Sequence, residues 1–346
     1  MKKVAGAANT KTFVGVLVGV AVLVAAIAVV RHDVVGRRGS GLDTAFKYDI
    51  RELTRIDPNL ILYEESSGAM DTGFAASHGI AVDSKGSIYV AGDKAIRVFS
   101  QGGDSLREIK LAGEARCVTV VDDKVYIGLK DRVEVYDALG QRQAGWDSLG
   151  ADAILTSVAV SGDNVFVADA GNRVVVRYDT AGKTVGDIGK KDSARNVPGF
   201  VIPSPYFDVA VSGDGLLRVV NPGRRRIEAY TFDGDLEFWW GQPSVAIEGF
   251  CGCCNPVNIA VLPGGGYVTC EKGLARVKVY DSEGEFVGVV AGPSQLVRDG
   301  ECRVCDLPAE CQAGGFDVAV DQAGRVFVLD TIKNVVRTFT RVKGQS

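Results

Sequence analysis

Residues 259–292, IAVLPGGGYVTCEKGLARVKVYDSEGEFVGVVAG, contain four short runs in which apolar and polar side chains alternate. Alternation with a period of two is the pattern of β-strands whose two faces meet different surroundings. The runs are Asn258–Val261, Tyr267–Cys270, Arg276–Tyr280 and Glu285–Val289, joined by Pro263-Gly264-Gly265 and Asp281-Ser282-Glu283-Gly284. Glycine reaches positive φ cheaply and aspartate caps its own turn, so these connections are tight. The stretch is a four-strand unit.

Working outward, the same unit recurs with its first run centred on Ile80, Val118, Val158, Val209, Ile259 and Val318. The third run ends on an aromatic residue in every copy: Phe99, Tyr136, Tyr178, Tyr230, Tyr280 and Phe339. In a chain that is 8% aromatic, six such coincidences are a repeat and not chance. A four-stranded unit repeated about every 40–50 residues predicts a β-propeller, in which each sheet is a blade that buries its neighbour's face. The expected fold is therefore all-β, a six-bladed propeller over 59–346, preceded by an N-terminal transmembrane helix or signal segment in 1–30 and a stalk over 31–58.

The stretches IAVDSKGSIYVAGDKAIRVFSQGG (80–103) and VAVSGDNVFVADAGNRVVVRYDTAG (158–182) resemble NHL-repeat propellers. The resemblance covers about residues 60–341. It implies the fold and leaves the activity open, because such propellers host unrelated functions. Some relatives of this kind are lyases or hydrolases that hold zinc or calcium in the central channel with histidines or with Asp, Glu and Asn. This chain has only His32 and His78, which excludes a multi-histidine zinc site.

The last copy stops after its third run. Leu60–Tyr63 is a strand without a neighbour in sequence, so it is expected to pair with Val335–Phe339 and close the ring, removing an exposed edge. The spacings between successive first runs are 38, 40, 51, 50 and 59 residues, so extra chain accumulates at about 190–205, 242–256 and 293–315. Each of these segments joins a fourth strand to the next first strand. All such connections emerge on one face, together with the turns between second and third strands, and long loops on a rigid scaffold are where binding concentrates.

Seven of the eight cysteines fall in this half: Cys251, Cys253, Cys254, Cys270, Cys302, Cys305 and Cys311. The repeat alignment carries all seven to one face around blade five. Two readings stand. Disulfides would staple the loops, each contributing about 2–4 kcal/mol in an exported domain. Alternatively the thiolates ligate a metal ion or an iron–sulfur cluster, although C-x-C-C and C-x-x-C-x5-C match no standard spacing. Cys117, at the start of a first run, reads as a buried core residue.

His78, Asp208, Asn258 and Asp317 stand at or just before the first strands, on the channel rim, and are candidate ligands for a cation or polar group; capping of the loops there is the other reading. No phosphate-binding glycine loop or nucleophile elbow is present, so no catalytic residue is assigned. Arg224-Arg225-Arg226 lies on a turn and reads as a solvated one. The formal net charge of −4 argues against nucleic acid as a partner.

Phe13–Val30 contains no charged side chain. As a helix its 18 residues extend about 27 Å, close to the hydrocarbon thickness. Lys2, Lys3 and Lys11 precede it and place the propeller on the extracytoplasmic side, an orientation weakened by Arg31, Arg37 and Arg38. An uncleaved anchor is favoured over a signal peptide cut after Ala26-Ile27-Ala28. Gly15 and Gly19 have the spacing of a small-residue packing pair.

The functional expectation is a membrane-anchored, periplasmic or extracellular propeller that binds or assembles with a protein partner through its cysteine-rich blade-five face, on the long-loop side. A thiolate cofactor protein passing electrons to a membrane partner is the alternative, and a lyase- or lactonase-type enzyme a further one.

Overall fold

The computed structural model describes residues 18–24, 55–66, 68–297 and 315–342. The chain divides into two compact units, 1–49 and 50–346. In the first, residues 18–24 are helical. No helix among the described residues is long and apolar enough to cross a membrane. The remainder of the expected anchor and most of the stalk lie outside the described residues, as do Cys302, Cys305 and Cys311.

The second unit is a six-bladed propeller of antiparallel sheets, five of them four-stranded and the sixth five-stranded because two short strands share its outer position. Its inner strands are Ser77–Val82, Cys117–Val121, Leu155–Ser161, Val209–Val211, Asn258–Val261 and Phe316–Val320. All six fall where the first runs of the repeat predict them. The aromatic that ends each third strand is buried and pairs with the first apolar residue of the second strand: Ile88↔Phe99, Val125↔Tyr136, Val165↔Tyr178, Leu217↔Tyr230, Tyr267↔Tyr280 and Val326↔Phe339. The register is thus the same in every blade, with each aromatic packed into an interblade core.

The turns follow from their aspartates. Asp281 Oδ1 accepts from Glu283 N at 3.1 Å and Glu285 N at 2.8 Å, and Gly284 takes φ +87°, a left-handed conformation that favours glycine. Asp137 and Asp179 make the same pair of bonds in blades two and three.

Ring closure is as expected in partner and corrected in register. Tyr63–Glu65 pairs antiparallel with the last strand, Val335–Arg341, through Tyr63↔Arg341, Glu64↔Thr340 and Glu65↔Phe339. Met70–Asp71 then continues that outer strand opposite Val336 and Val335. Pro58–Leu60 is a 3₁₀ turn instead of a strand start. Proline cannot donate to a ladder, and Asp57 Oδ1 captures Asn59 N at 3.0 Å, which favours the turn. Ile61 and Leu62 run beside the outer strand of blade five, with Leu62 N donating to Val289 O at 2.9 Å. The N-terminal segment therefore ties blade five to blade six before closing the ring.

Candidate functional sites on the loop face

The residue preceding the centre of each inner strand is Gly79, Cys117, Ser157, Asp208, Asn258 or Asp317, and these positions ring the channel. Asp317 Oδ2 accepts from Ile80 N at 2.8 Å, joining blade six to blade one. Asp208 Oδ2 accepts from Ile259 N at 2.7 Å, joining blade four to blade five. Asn258 Nδ2 donates to Phe316 O at 2.6 Å, joining blade five to blade six. Three of the four rim candidates identified in sequence are therefore side-chain bridges between neighbouring inner strands.

Asp208 and Asp317 also border the channel, a space of about 200 Å³. Burial pushes both carboxyl groups above the ordinary carboxylate range, and the charge of Asp208 raises Asp317 further. The backbone N–H groups that each accepts pull the other way and do not offset the loss of hydration. Above them, at the mouth, a cavity of about 230 Å³ is lined by His78, Arg116, Tyr206, Asn258 and Asp317, among others. His78 Nε2 lies 2.8 Å from Glu114 Oε1, and Arg116 Nη2 donates to Glu114 Oε2 at 3.2 Å. The structure thus brings His78, Asn258 and Asp317 to one cavity, with Asp208 in the channel beneath.

The loop over 242–256 is held by charges inside blade five. Glu271, Arg276 and Lys278 are at most 1% exposed. Glu271 Oε2 accepts from Arg276 Nε at 2.7 Å and Lys278 Nζ at 3.0 Å, and its Oε1 accepts from Cys251 N at 2.8 Å. Lys278 Nζ donates to Gly249 O at 2.6 Å and Ile247 O at 3.1 Å, 4.4 Å above the centre of the Phe250 ring. Arg276 Nη1 donates to Val245 O at 3.3 Å. Burial lowers Lys278 to about 8 against the opposing pull of Glu271. Asn255 completes the clamp: its Nδ2 donates to Cys251 O at 2.6 Å, and its Oδ1 accepts from Lys272 N at 2.9 Å.

The cysteines divide. Cys270 is fully buried in the apolar cluster between blades five and six, with Val257, Val277, Phe316 and Val318. Cys251 stands beside the Glu271 cluster and feels the charges of Arg276, Glu271 and Lys278. Cys253 and Cys254 stand together, Sγ to Sγ 3.7 Å. Among the described residues every cysteine is a free thiol, and no three His, Cys, Asp or Glu side chains converge on one point. Cys117 is a buried core residue, as its sequence position implied.

The Arg224–Arg226 run is not a solvated turn. Arg224 donates to Gly199 O and Pro198 O at 3.4 Å each, gripping the 190–205 loop, and Arg226 Nε pairs with buried Glu228 at 2.7 Å. Sequence reasoning missed these arginines and the Glu271 cluster. The available signal was the charged alternation Arg276-Val277-Lys278 inside a blade rather than on its edge.

No family model matches the chain, and no curated protein matches it. Many solved structures do. Virginiamycin B lyase from Staphylococcus aureus is 12% identical, covering 81% of this chain and 100% of its own with a TM-score of 0.55. The WD40 propeller domain of Doa1 is 17% identical over 78% of this chain and 80% of its own, TM-score 0.53. A protein of unknown function from Bacteroides thetaiotaomicron is 16% identical over 80% and 73%, TM-score 0.55. The chain is a six-bladed β-propeller. At these identities the likeness is one of fold alone, shared by a WD40 domain, lyases and proteins of unknown function.

Proposed function

We propose that this propeller, built of NHL-type repeats and held at a membrane by its N-terminal segment on the extracytoplasmic side, is a recognition module whose contact surface is the long-loop face of blades four and five. One observation carries this reading. Three charged side chains are fully buried beneath the 242–256 loop, a placement that loses several kcal/mol of hydration per ion before pairing returns it. A propeller closes without such a cluster, as blades one to three do with short connections. What the cluster adds is a loop fixed in one conformation, and ordering a loop in advance removes an entropic cost from binding.

The test is crosslinking. A photoreactive side chain at Val245, exposed on the loop, is expected to capture one discrete protein in native membranes, and Glu271→Gln is expected to abolish that adduct by loosening the loop. The same probe at Leu139, on a turn of the opposite face, is expected to capture nothing. Equal adducts from both positions, or none from Val245, would refute the assignment. Carbonate extraction and the mass of the mature N-terminus test the anchor separately.

A second reading has its own observation: the cavity that gathers His78, Arg116, Asn258 and Asp317 over the channel. Propellers described as lyases share this fold at a TM-score of 0.55. One of those structures is a catalytically inactive variant with a histidine replaced by alanine. An enzyme of this kind would depend on His78, the one histidine in the propeller, and unchanged activity in His78→Ala would remove the reading.

A further inference from the structure

The far end of the 242–256 loop sets two thiols side by side. Adjacent residues of an extended chain point to opposite sides, so neighbouring sulfurs 3.7 Å apart need a bent backbone. Gly252, at φ +82°, begins that bend. Cys254 is 4% exposed, whereas Cys253 is open to solvent. Behind Cys254 stands Lys272, itself buried. Its ammonium hydrogen-bonds the Cys254 sulfur, donates to Ser204 Oγ at 3.1 Å, and lies 4.3 Å above the Tyr206 ring. Cys251 and Cys270 take no part, the first facing the Glu271 cluster and the second the apolar core.

Two thiolates sharing a tetrahedral ion at about 2.3 Å lie about 3.8 Å apart. A disulfide would require them at about 2.04 Å. The observed separation is that of the tetrahedral edge. We propose that Cys253 and Cys254 form a two-thiolate site for a thiophilic divalent ion of the zinc or cadmium class, with Lys272 positioning the Cys254 sulfur and the remaining coordination positions open to solvent on the Cys253 side. Sulfur ligands select soft ions over magnesium or calcium. Binding breaks two S–H bonds and forms two metal–sulfur bonds; both protons leave to solvent, and no electron changes hands. Lys272 replaces with one fixed hydrogen bond the hydration that the buried thiolate loses, the part that second-sphere donors play around metal ligands. The site is independent of any protein partner, so it stands or falls apart from the recognition reading.

The experiment uses the reduced full-length protein. Zinc is measured by equilibrium dialysis and cadmium by its ultraviolet thiolate absorption. Cys253→Ser, whose side chain is exposed and whose folding is therefore unaffected, is expected to lose one ion equivalent relative to wild type. Cys254→Ser is expected to lose the same equivalent, and Cys251→Ser none. Lys272→Met is expected to keep the stoichiometry and weaken this site about 10–100-fold. The proposal is overturned if wild type binds no ion stoichiometrically or if Cys253→Ser keeps every equivalent. It is also overturned if Cys251→Ser removes the same ion, and an unchanged affinity in Lys272→Met would remove that residue from the site.

Discussion

Replacing Glu271 by glutamine tests the clamp that the recognition surface rests on. Glu271 receives four donors: Arg276 Nε at 2.7 Å, Arg276 Nη2 at 3.0 Å, Lys278 Nζ at 3.0 Å and Cys251 N at 2.8 Å. Glutamine keeps the shape, removes the charge and turns one acceptor into a donor facing two buried cations. Removing one partner of a buried ionic group costs about 3–5 kcal/mol, because the uncompensated charges remain. With a urea dependence of about 3 kcal/mol per molar, the unfolding midpoint should fall by about 1–1.7 M. Lys278→Met is the control. It leaves the Glu271–Arg276 pair balanced and loses the 3.0 Å contact to Glu271 and the bonds to Gly249 O and Ile247 O, while stranding no buried cation, so it should cost about 1–3 kcal/mol. The local readout is chymotrypsin at Phe250, which is fully buried beneath Lys278. Cleavage there should appear in Glu271→Gln under conditions where wild type is resistant. A loss below about 1 kcal/mol with Phe250 still protected, or a Lys278→Met variant that is the less stable of the two, would refute the reasoning.

A chain beginning at Gly73 lacks Tyr63–Glu65 and Met70–Asp71, and should melt well below the full domain or aggregate through the exposed edge of Val335–Arg341; calorimetry that finds the two equal would dismiss the closure. Tyr230→Ala, at an aromatic that is 0% exposed, should cost about 3–5 kcal/mol in urea unfolding. Asp317 is held from an ordinary 3.8 up to about 8 in the fold. The folded state therefore binds the extra proton, and this contribution is present below pH 3.8 and lost as pH rises through 8. Wild type should lose stability relative to Asp317→Asn over that window, and parallel melting curves across it would contradict the assignment.

The fold was legible because two features of a propeller are local. Alternation marks each strand, and the aromatic at the end of the third strand fixes register in all six copies. The closing strand was displaced by a few residues because Asp57 and Pro58 favour a turn where the apolar run Leu60–Leu62 suggested a strand. Met70–Asp71, two residues long, is too short to leave a pattern. Asp208, Asn258 and Asp317 were legible as an equivalent set, but not as interblade bridges, since the backbone N–H groups that the aspartates accept from and the carbonyl that Asn258 donates to belong to strands about 50 or more residues away in sequence.

The charges beneath the loops were hidden for a different physical reason. Alternating Arg276, Lys278 and Tyr280 read as one wetted face of a strand, yet all five residues of Arg276–Tyr280 are buried because the preceding loop folds back over them. The copies nevertheless share a rule that becomes visible once the loops are in place. Two residues before the third-strand aromatic stand Arg97, Glu134, Val176, Glu228, Lys278 and Arg337, charged in five blades of six. The three cations each reach a carbonyl in the segment leading into their own blade: Arg97 to Thr72 O at 2.9 Å, Lys278 to Gly249 O at 2.6 Å and Arg337 to Gln295 O at 2.5 Å. Glu134 and Glu228 instead accept the hydroxyl of their own blade's tyrosine, at 2.9 and 2.8 Å. The sign of the charge thus decides whether the side chain at this position grips the incoming segment or its own blade's tyrosine; in blade four the grip on the incoming loop falls to Arg224 instead. The longest described segment gripped in this way is the one that bears Cys251, Cys253 and Cys254.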